Sequence, residues 1–263
     1  MEKLYVIKIG GNIIDDEPIL SSFLEEFASI REKKILVHGG GKLASRIANQ
    51  LGIPQKMIEG RRITDAETLK IVTMVYAGYI NKNIVALLQA NGCNAIGLTG
   101  ADANTILAHK RKHSTIDYGF AGDIESAGLN VQSWELFLQN GLTPVVAPIT
   151  HDGKGQLLNT NADTITQEIA KGMSTVYHVN LVYSFEKAGV LLNPEDDDSV
   201  ISSINPAYYE KLKSEQKIFA GMIPKLDNAF AALESGVKEV IIGKAEDLKK
   251  IISGKSGTRI VND

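Results

Sequence analysis

The sequence predicts an α/β protein built on a mostly parallel sheet with helices covering it. Short apolar runs rich in β-branched residues alternate along the chain with longer segments whose apolar residues recur at helical spacing. Parallel strands need long crossover connections, and this alternation supplies helices as the crossovers. The length of 263 residues suits one large domain or two fused lobes, with enough core to fold without disulfide bonds.

Each predicted element has its own local signal. Seven apolar runs are predicted to be strands: Tyr5–Ile9, Ile35–His38, Ala95–Leu98, Pro144–Ile149, part of Val176–Phe185, Val240–Ile242 and Arg259–Val261. Five periodic segments are predicted to be helices: Ile19–Arg31, Lys42–Leu51, Asp65–Asn91, Ala162–Lys171 and Pro224–Ser235. The glycine-rich stretch Asp117–Asn130 is predicted to be a hairpin or an excursion, and a lobe boundary is predicted near Gly172.

The longest predicted helix opens with a capping-box pattern at Thr64–Glu67 and stops at Asn91-Gly92. Its apolar residues cover more than one stripe, which predicts burial on two sides. Two interpretations stay open, namely a central helix within one monomer and a helix packed against a second subunit.

Composition excludes several classes of protein. A net charge of −3 argues against a nucleic-acid-binding role, because such proteins carry a basic excess. Cys93 is the single cysteine, so neither an intramolecular disulfide nor a cysteine metal cluster can form. The first strand is too short for a signal peptide, and no uninterrupted apolar run reaches the roughly 18–20 residues of a membrane span. We expect a cytoplasmic protein with no membrane partner.

Two glycine runs stand where an apolar strand gives way to a helix. Gly10 and Gly11 follow the strand Tyr5–Ile9, and Gly39–Gly41 follow Ile35–His38. Glycine lets an anion approach main-chain N–H groups without a Cβ in the way, and the next helix directs its free amides at the same point. Neither run is a P-loop or a dinucleotide fingerprint. A single run of this kind could equally be a tight structural turn, but two such cradles indicate a phosphoryl-transfer enzyme whose acceptor is itself charged.

Two lysines and an aspartate have the settings of catalytic groups. Lys8 lies two residues before the first glycine run. Lys225 is predicted in the first turn of its helix, where the dipole disfavours a cation and a buried ammonium needs an anion. Asp163 follows the predicted N-cap Asn161. For Asp163 two interpretations stay open, simple helix capping and a carboxylate that holds the lysines in place.

Three other residues near the glycine runs have less specific settings. Arg62 precedes the long helix, and its planar guanidinium suits bidentate capture of a carboxylate. Its neighbour Arg61 is interpreted as an exposed loop arginine. His38 is interpreted as a structural histidine that closes a strand rather than as an acid or base.

Six motifs in this order resemble those of the N-acetylglutamate kinases, within the amino acid kinase family. They are Lys8-x-Gly10-Gly11, His38-Gly39-Gly40-Gly41, Gly60-x-Arg62-x-Thr64-Asp65, Gly119-Phe120-x-Gly122-Asp123, Asn159-x-Asn161-Ala162-Asp163 and Gly221-Met222-Ile223-x-Lys225. The resemblance spans essentially the whole chain. It implies a three-layer αβα sandwich in two lobes, with residues 1–172 binding an acylated amino acid and dimerising and residues 173–263 binding ATP. It also implies phosphorylation by MgATP of the γ-carboxylate of an N-acyl-L-glutamate in arginine biosynthesis.

The same resemblance implies roles for individual residues. Lys8 and Lys225 would stabilise the transferring phosphoryl group, with Asp163 as the organiser between them. Gly40 and Gly41 would offer amides to the substrate, Arg62 would bind its α-carboxylate, and Asn159 would bind it as well. The residues expected to bind the nucleotide are Gly10, Gly11, Glu186, Gly189, Leu191, Lys217, Ile218 and Phe219. No protein metal ligand is expected, because the nucleotide would carry the Mg²⁺.

The chain departs from the family pattern in three places. Phe185-Glu186 stands where the family usually has threonine or serine followed by aspartate, so Glu186 keeps the negative charge on a longer side chain. Arg61 stands where leucine is common, and we hypothesise that it accepts an extra carboxylate, as on an N-succinyl group. The chain also starts directly at its first strand, without the extra helix of arginine-inhibited hexameric relatives, so we expect a homodimer without arginine feedback.

Two alternatives remain from the sequence. One is another carboxylate or carbamate kinase of the same fold. The other is a catalytically weak regulator that binds a nucleotide or an amino acid.

Overall fold

The computed structural model describes residues 1–58, 60–193, 195–196, 198–218 and 222–262. The strands in these ranges are β1 (Lys3–Ile9), β2 (Lys33–His38), β3 (Met57–Ile58), β4 (Arg61–Arg62), β5 (Ala95–Leu98), β6 (Ile106–Lys110), β7 (Ala121–Leu129), β8 (Thr143–Val146), β9 (Ile149–His151), β10 (Leu157–Thr160), β11 (His178–Phe185), β12 (Ser203–Ile204), β13 (Glu239–Lys244) and β14 (Thr258–Ile260). The α-helices are α1 (Gly11–Ile14), α2 (Glu17–Ala28), α3 (Gly41–Gln50), α4 (Ala66–Thr73), α5 (Asn81–Ala90), α6 (Val131–Gln139), α7 (Ala162–Met173), α8 (Pro206–Ser214), α9 (Ile223–Glu234) and α10 (Leu248–Ile252).

Eight strands form the central sheet in the order β12-β14-β13-β11-β1-β2-β8-β5. The six strands from β13 to β5 in that order are parallel, whereas β14 pairs antiparallel with β13. Strands β11–β14 fill one half of the sheet and the earlier strands fill the other, with the two halves meeting at the β1–β11 pair. The predicted mainly parallel α/β fold is confirmed.

Alternation along the buried strands produces the three layers. On β1, Leu4 and Val6 belong to one apolar cluster, and Tyr5, Ile7 and Ile9 belong to the other. Successive strand side chains point to opposite faces, so each face of the sheet needs its own covering of helices. Helices α6–α9 cover the first face, while α2, α3, α10 and the long helix that contains α4 and α5 cover the second.

The long helix runs without a break from Ala66 to Ala90, and its middle widens into a π-helical stretch at Met74–Ile80. The Asp65 side chain caps it by accepting a hydrogen bond from the N–H of Thr68 at 2.8 Å. The helix predicted at Asp65–Asn91 is therefore present. It is buried on the sheet side, whereas Met74 and Tyr79 are 58% and 65% exposed.

Among the described residues, this helix is the one that is long and apolar enough to cross a membrane on length and composition, with a mean hydropathy of 1.4. The core helices of soluble proteins pass the same test. Val72, Ile84 and Leu88 on this helix are fully buried in the cluster that it shares with the sheet. The helix is therefore only weak evidence for a membrane span.

A small closed barrel of β6, β7, β9 and β10 stands beside the sheet, and β3 and β4 form a separate hairpin. The glycine-rich stretch predicted as a hairpin supplies β7, which pairs antiparallel with β6. The other barrel strands and the hairpin were missed because they are short and carry polar or exposed residues. The boundary predicted near Gly172 falls in the last turn of α7.

Candidate active site

Parallel pairing brings the two glycine runs together. Ile9 of β1 pairs with His38 of β2, so the turns that follow them leave the sheet at the same edge. A Cβ placed on Gly11 would lie 3.8 Å from the Gly40 nitrogen and 4.0 Å from the Gly41 nitrogen. Main-chain amides of the two turns therefore converge, as an anion-binding site requires.

Lys8 and Asp163 meet across the sheet and α7. Lys8 occupies a β1 position whose side chain points to the same face as Leu4 and Val6, and α7 packs on that face. Its Nζ lies 2.9 Å from Asp163 Oδ1 in the first helical turn. Asn161 caps the same helix by accepting from the N–H groups of Asp163 and Thr164. Asp163 thus has both properties left open by the sequence, a place at the helix N-terminus and contact with a lysine.

Lys225 lies in the first turn of α9 and lines the same cavity as Lys8. Burial lowers the pKa of Lys225, and the Lys8 ammonium lowers it further. Asp163 and Glu186 act in the opposite direction. Two ammonium groups, one from β1 and one from α9, therefore share one site, with the Asp163 carboxylate in contact with Lys8 and acting on the charge of Lys225.

The cavity that these lysines line has a volume of about 460 Å³. Its described walls carry four lysines and one carboxylate: Lys8, Lys42, Lys187, Lys225 and Glu186. Gly10, Gly11 and Gly189 also line it, which leaves main chain open to a ligand. The cavity suits a polyanion, because cations and free amides outnumber carboxylates there.

A second cavity of about 190 Å³ lies beside the first, and Gly41 belongs to the walls of both. Gly40, Arg62 and Asn159 line this smaller cavity. The structure therefore brings together the four residues predicted to bind an acceptor.

Arg62 is buried, and the surrounding chain holds its guanidinium in place. Its Nη2 donates hydrogen bonds to the Gly41 carbonyl at 2.9 Å and to Ser45 Oγ at 2.9 Å. Nη1 donates to the Gln55 side-chain carbonyl. Burial raises the pKa of the neighbouring Tyr76 hydroxyl, which keeps that group protonated and able to donate. A fixed arginine at the cavity wall suits recognition of a carboxylate.

Asn159 is fixed by its neighbours at the end of the small barrel. Its Nδ2 donates to Thr64 Oγ1 at 3.0 Å, and its N–H donates to the Phe120 carbonyl at 2.9 Å. Thr64 in turn donates to the Arg62 carbonyl at 3.1 Å. These hydrogen bonds thus link the Asn159 side chain, through Thr64, to the main chain of Arg62.

Two further arginines line the smaller cavity. Arg61, predicted as an exposed loop residue, is half-buried in its wall. Arg111 also lines it, and its Nη1 contacts Asp123 Oδ1 at 2.8 Å while its guanidinium lies over the Tyr118 ring at 5.3 Å. The sequence analysis missed Arg111, although it belongs to the basic run at residues 110–113 that could have drawn attention to it.

A buried polar network supports the second glycine turn from below. His38 Nδ1 contacts the Gly39 carbonyl at 2.8 Å, and its Nε2 contacts Asn81 Nδ2 at 3.2 Å. Lys82 Nζ donates to Asn81 Oδ1 at 3.0 Å. Burial lowers the pKa of His38 to about 4, so the ring is neutral, with Nδ1 as donor and Nε2 as acceptor. The structural role predicted for His38 fits this geometry.

Some residues expected at the nucleotide are not among those that line the larger cavity. Leu191, Lys217 and Ile218 do not line the larger cavity, and Phe219 lies outside the described residues, as does Gly221 of the sixth motif. Lys217 is exposed and pairs with Glu215 at 2.8 Å. Phe185 and Met222, which were not predicted, do line the cavity.

Within the described ranges, no group of three or more histidine, cysteine, aspartate or glutamate side chains is placed to hold a metal ion. Glu186 is a carboxylate at the wall of the larger cavity. Magnesium in phosphate-handling sites is commonly held by one or two carboxylates together with ligand phosphates, and this arrangement fits that pattern.

Comparisons with known proteins agree with the site. Residues 3–244 match the model of the amino acid kinase family. The acetylglutamate kinase of Cytophaga hutchinsonii is 59% identical over 99% of both chains. That of Bacteroides fragilis is 54% identical over 98% of this chain and 97% of its own. Among solved structures, smu.665 from Streptococcus mutans is similar with a TM-score of 0.77 and 26% identity over 99% of both chains. The resemblance inferred from the motifs is confirmed.

A side chain at Gly40 is predicted to destabilise the fold. Its φ of 147° disfavours other residues, and an added Cβ would lie 2.4 Å from Ile80 Cδ1 on the long helix. Gly52 also has a positive φ, of 73°, but open space around it. We expect Gly52→Ala to cost about 1–2 kcal/mol of unfolding free energy and Gly40→Ala to cost about 1–3 kcal/mol more. Urea unfolding of both variants measures this, and equal losses would contradict the predicted clash.

His38 is predicted to make stability fall in acid. Its folded pKa, about 4, lies below the unfolded value near 6.5, so the unfolded chain binds more protons between those values. Its contribution to the free energy of unfolding is complete above pH 6.5 and is lost as pH falls toward 4. The loss is about 2 kcal/mol at pH 5. We expect His38→Gln to remove this part of the pH dependence in urea unfolding. The exposed His178→Gln is the control, and an unchanged slope in His38→Gln would refute the assignment.

Proposed function

Since the chain belongs to the amino acid kinase family, we propose that it transfers the γ-phosphoryl group of ATP to the γ-carboxylate of N-acetyl-L-glutamate. The product is an acyl phosphate, and the reaction is a step of arginine biosynthesis. One observation carries the proposal. Lys8 and Lys225 line a cation-rich cavity that adjoins, at Gly41, a smaller cavity containing a fixed arginine. The high identity to acetylglutamate kinases supports the choice of acceptor.

The chemistry needs positive charge more than it needs a base. A glutamate carboxylic acid in water has a pKa of about 4.3, so at neutral pH its oxygen is already an ionised nucleophile. That oxygen attacks the γ-phosphorus, the bond to the β–γ bridging oxygen breaks, and ADP leaves with the electron pair. The obstacle is repulsion between two anions. Lys8, Lys225 and the amides of the glycine turns would offset it.

The acceptor is proposed to occupy the smaller cavity. Arg62 would bind its α-carboxylate from a position already fixed by Gly41 and Ser45. Asn159 would hold the same end of the molecule, and the amides of Gly40 and Gly41 would meet the reacting carboxylate. This places the γ-carboxylate toward Gly41, where the two cavities adjoin.

The nucleotide is proposed to occupy the larger cavity as MgATP. Gly10, Gly11 and Gly189 would lie against it, and the lysines would contact its phosphates. Bound magnesium would be held mainly by the phosphates, with Glu186 as the available protein carboxylate, and it would neutralise phosphate charge. Residues 173–263 would form the nucleotide lobe and residues 1–172 the acceptor lobe. Leu191, Lys217, Ile218 and Phe219 remain predicted nucleotide contacts.

We also propose a homodimer in a reducing cytoplasm. Met74 and Tyr79 are exposed apolar side chains on the outer side of the long helix, where a second subunit would bury them. Cys93 is free and buried, as expected of a protein that does not depend on disulfide bonds.

Trapping the acyl phosphate with hydroxylamine tests the function. We expect hydroxamate from ATP and N-acetylglutamate, and a loss of kcat of about 100- to 1,000-fold in Lys8→Met and in Lys225→Met. Lys255→Met, an exposed lysine, is the matched control. Hydroxamate from carbamate or another carboxylate but not from N-acetylglutamate would favour a different kinase of this fold. ATP binding by calorimetry without hydroxamate from any acceptor would favour a regulator.

An N-succinyl acceptor is a second candidate, favoured by Arg61 and Arg111 in the wall of the smaller cavity. Either guanidinium could meet the additional carboxylate of a succinyl group. We expect Arg61→Leu to lower kcat/KM for N-succinylglutamate about tenfold more than for N-acetylglutamate, because a charged hydrogen bond is worth about 1.5–3 kcal/mol. Arg46→Leu on the exposed side of α3 is the control. An unchanged ratio of the two kcat/KM values would remove this role for Arg61.

A further inference from the structure

Phe185 contacts both proposed catalytic lysines through its ring. It is the last residue of β11, at the edge of the sheet where the glycine turns also lie. Lys225 Nζ is 3.9 Å from the ring centroid and Lys8 Nζ is 5.1 Å from it. Both distances lie within the roughly 6 Å over which an aromatic face attracts a cation. The ring thus contacts two ammonium groups that repel each other.

A second aromatic ring fixes the orientation of the Phe185 ring. Tyr183, two residues earlier on the same face of β11, stacks against it with centroids 6.1 Å apart and planes at 8°. Tyr183 is itself buried, and its strand is paired with β1 on one side and with β13 on the other. Phe185 therefore presents its face to the cavity from a rigid element rather than from a loop.

The contact with the ring stabilises the charged form of Lys225 where an ion pair already stabilises that of Lys8. Lys8 is paired with Asp163, whereas Lys225 makes no ion pair with any described residue. Burial and the nearby Lys8 both disfavour the charged form of Lys225. A ring face stabilises that cation without a formal negative charge. A carboxylate at the same distance would instead repel an incoming phosphate.

We propose that Phe185 is a positioning residue that holds the Lys225 and Lys8 ammonium groups together, charged, at the point where the phosphoryl group passes. This inference rests on the proposed function. It concerns a position at which this chain departs from the usual family motif, where a hydroxyl residue without a ring stands. The aromatic face attracts each cation and so offsets their mutual repulsion, while their N–H groups remain available to phosphate oxygens.

The test replaces Phe185 with 4-fluoro-, 3,5-difluoro- and 3,4,5-trifluorophenylalanine. Fluorine withdraws electrons from the ring face and weakens its hold on a cation, while the ring and its stacking on Tyr183 remain. We expect kcat for acyl phosphate formation to fall stepwise along the series, by roughly 3- to 30-fold at the trifluoro variant. KM for the acceptor should stay constant, because its cavity is separate from the ring.

Substitutions by ordinary amino acids provide the second part of the test. Phe185→Tyr keeps an aromatic face and should retain most of kcat, whereas Phe185→Leu should lose about tenfold. Phe137→Leu makes the same change on a half-buried phenylalanine outside both cavities, and it controls for lost packing. Equal kcat in Phe185→Leu and wild type, or a flat fluorination series in folded protein, would overturn the proposal.

A readout independent of turnover separates this proposal from the proposed function. The pKa of Lys225 can be followed by NMR of the labelled lysine side chains, against the other groups that face it: Lys8, Asp163, Glu186 and Tyr183. Weakening the ring should lower that pKa stepwise, since the ring favours the protonated form. If no acceptor gives hydroxamate, the kinase assignment fails while a falling pKa still supports the ring contact. An unchanged pKa along the series refutes it.

Discussion

Parallel pairing of β1 with β2 on one side and with β11 on the other is the constraint on which the site depends. Because all three strands end at one edge of the sheet, the residues that follow them must meet there. Lys8 comes from the central strand, Gly39–Gly41 follow one neighbour, and Phe185 ends the other. The elements covering the sheet add Asp163 and Lys225 from two helix N-termini. A shift in this pairing would separate the groups even if every helix stayed intact.

The site collects positive charge that the fold only partly compensates. Lys8 has a carboxylate partner at 2.9 Å, and the described wall of the larger cavity carries four lysines and one carboxylate, Glu186. In the smaller cavity, Arg62 donates its hydrogen bonds to neutral oxygens of Gln55, Gly41 and Ser45. Such an arrangement costs stability in the free protein, and bound anions would offset that cost.

Much of this could be predicted from the sequence, for physical reasons. The buried strands are continuous apolar runs, which only a covered parallel sheet accommodates, so β1, β2, β11 and β13 were located correctly. Gly10 and Gly39–Gly41 were found because glycine directly after an apolar strand is typical of a sharp turn that a ligand can approach closely. Asp163 was placed in its helical turn by the Asn161 cap, although its contact with Lys8 required the fold.

The remaining features depend on contacts between distant segments. The barrel strands β6, β9 and β10 have only 5, 3 and 4 residues, which is too few to establish a period, so they were missed. Arg111 gave no signal beyond local basic character, because its place in the smaller cavity depends on how the barrel packs. Phe185 was noted only as a departure from a motif. Its meeting with Lys225, 40 positions later, follows from the packing of α9 on the sheet and from no local pattern.

Gly41 forms part of both cavity walls and carries no side chain. The partition at Gly41 consists of main chain, so ligands on its two sides would approach each other closely. Each would complete the surface that receives the other. By thermodynamic necessity, any gain in affinity that the first confers on the second is returned in equal measure. We therefore expect synergistic binding, in which each ligand binds more tightly when the other is present than when it is alone.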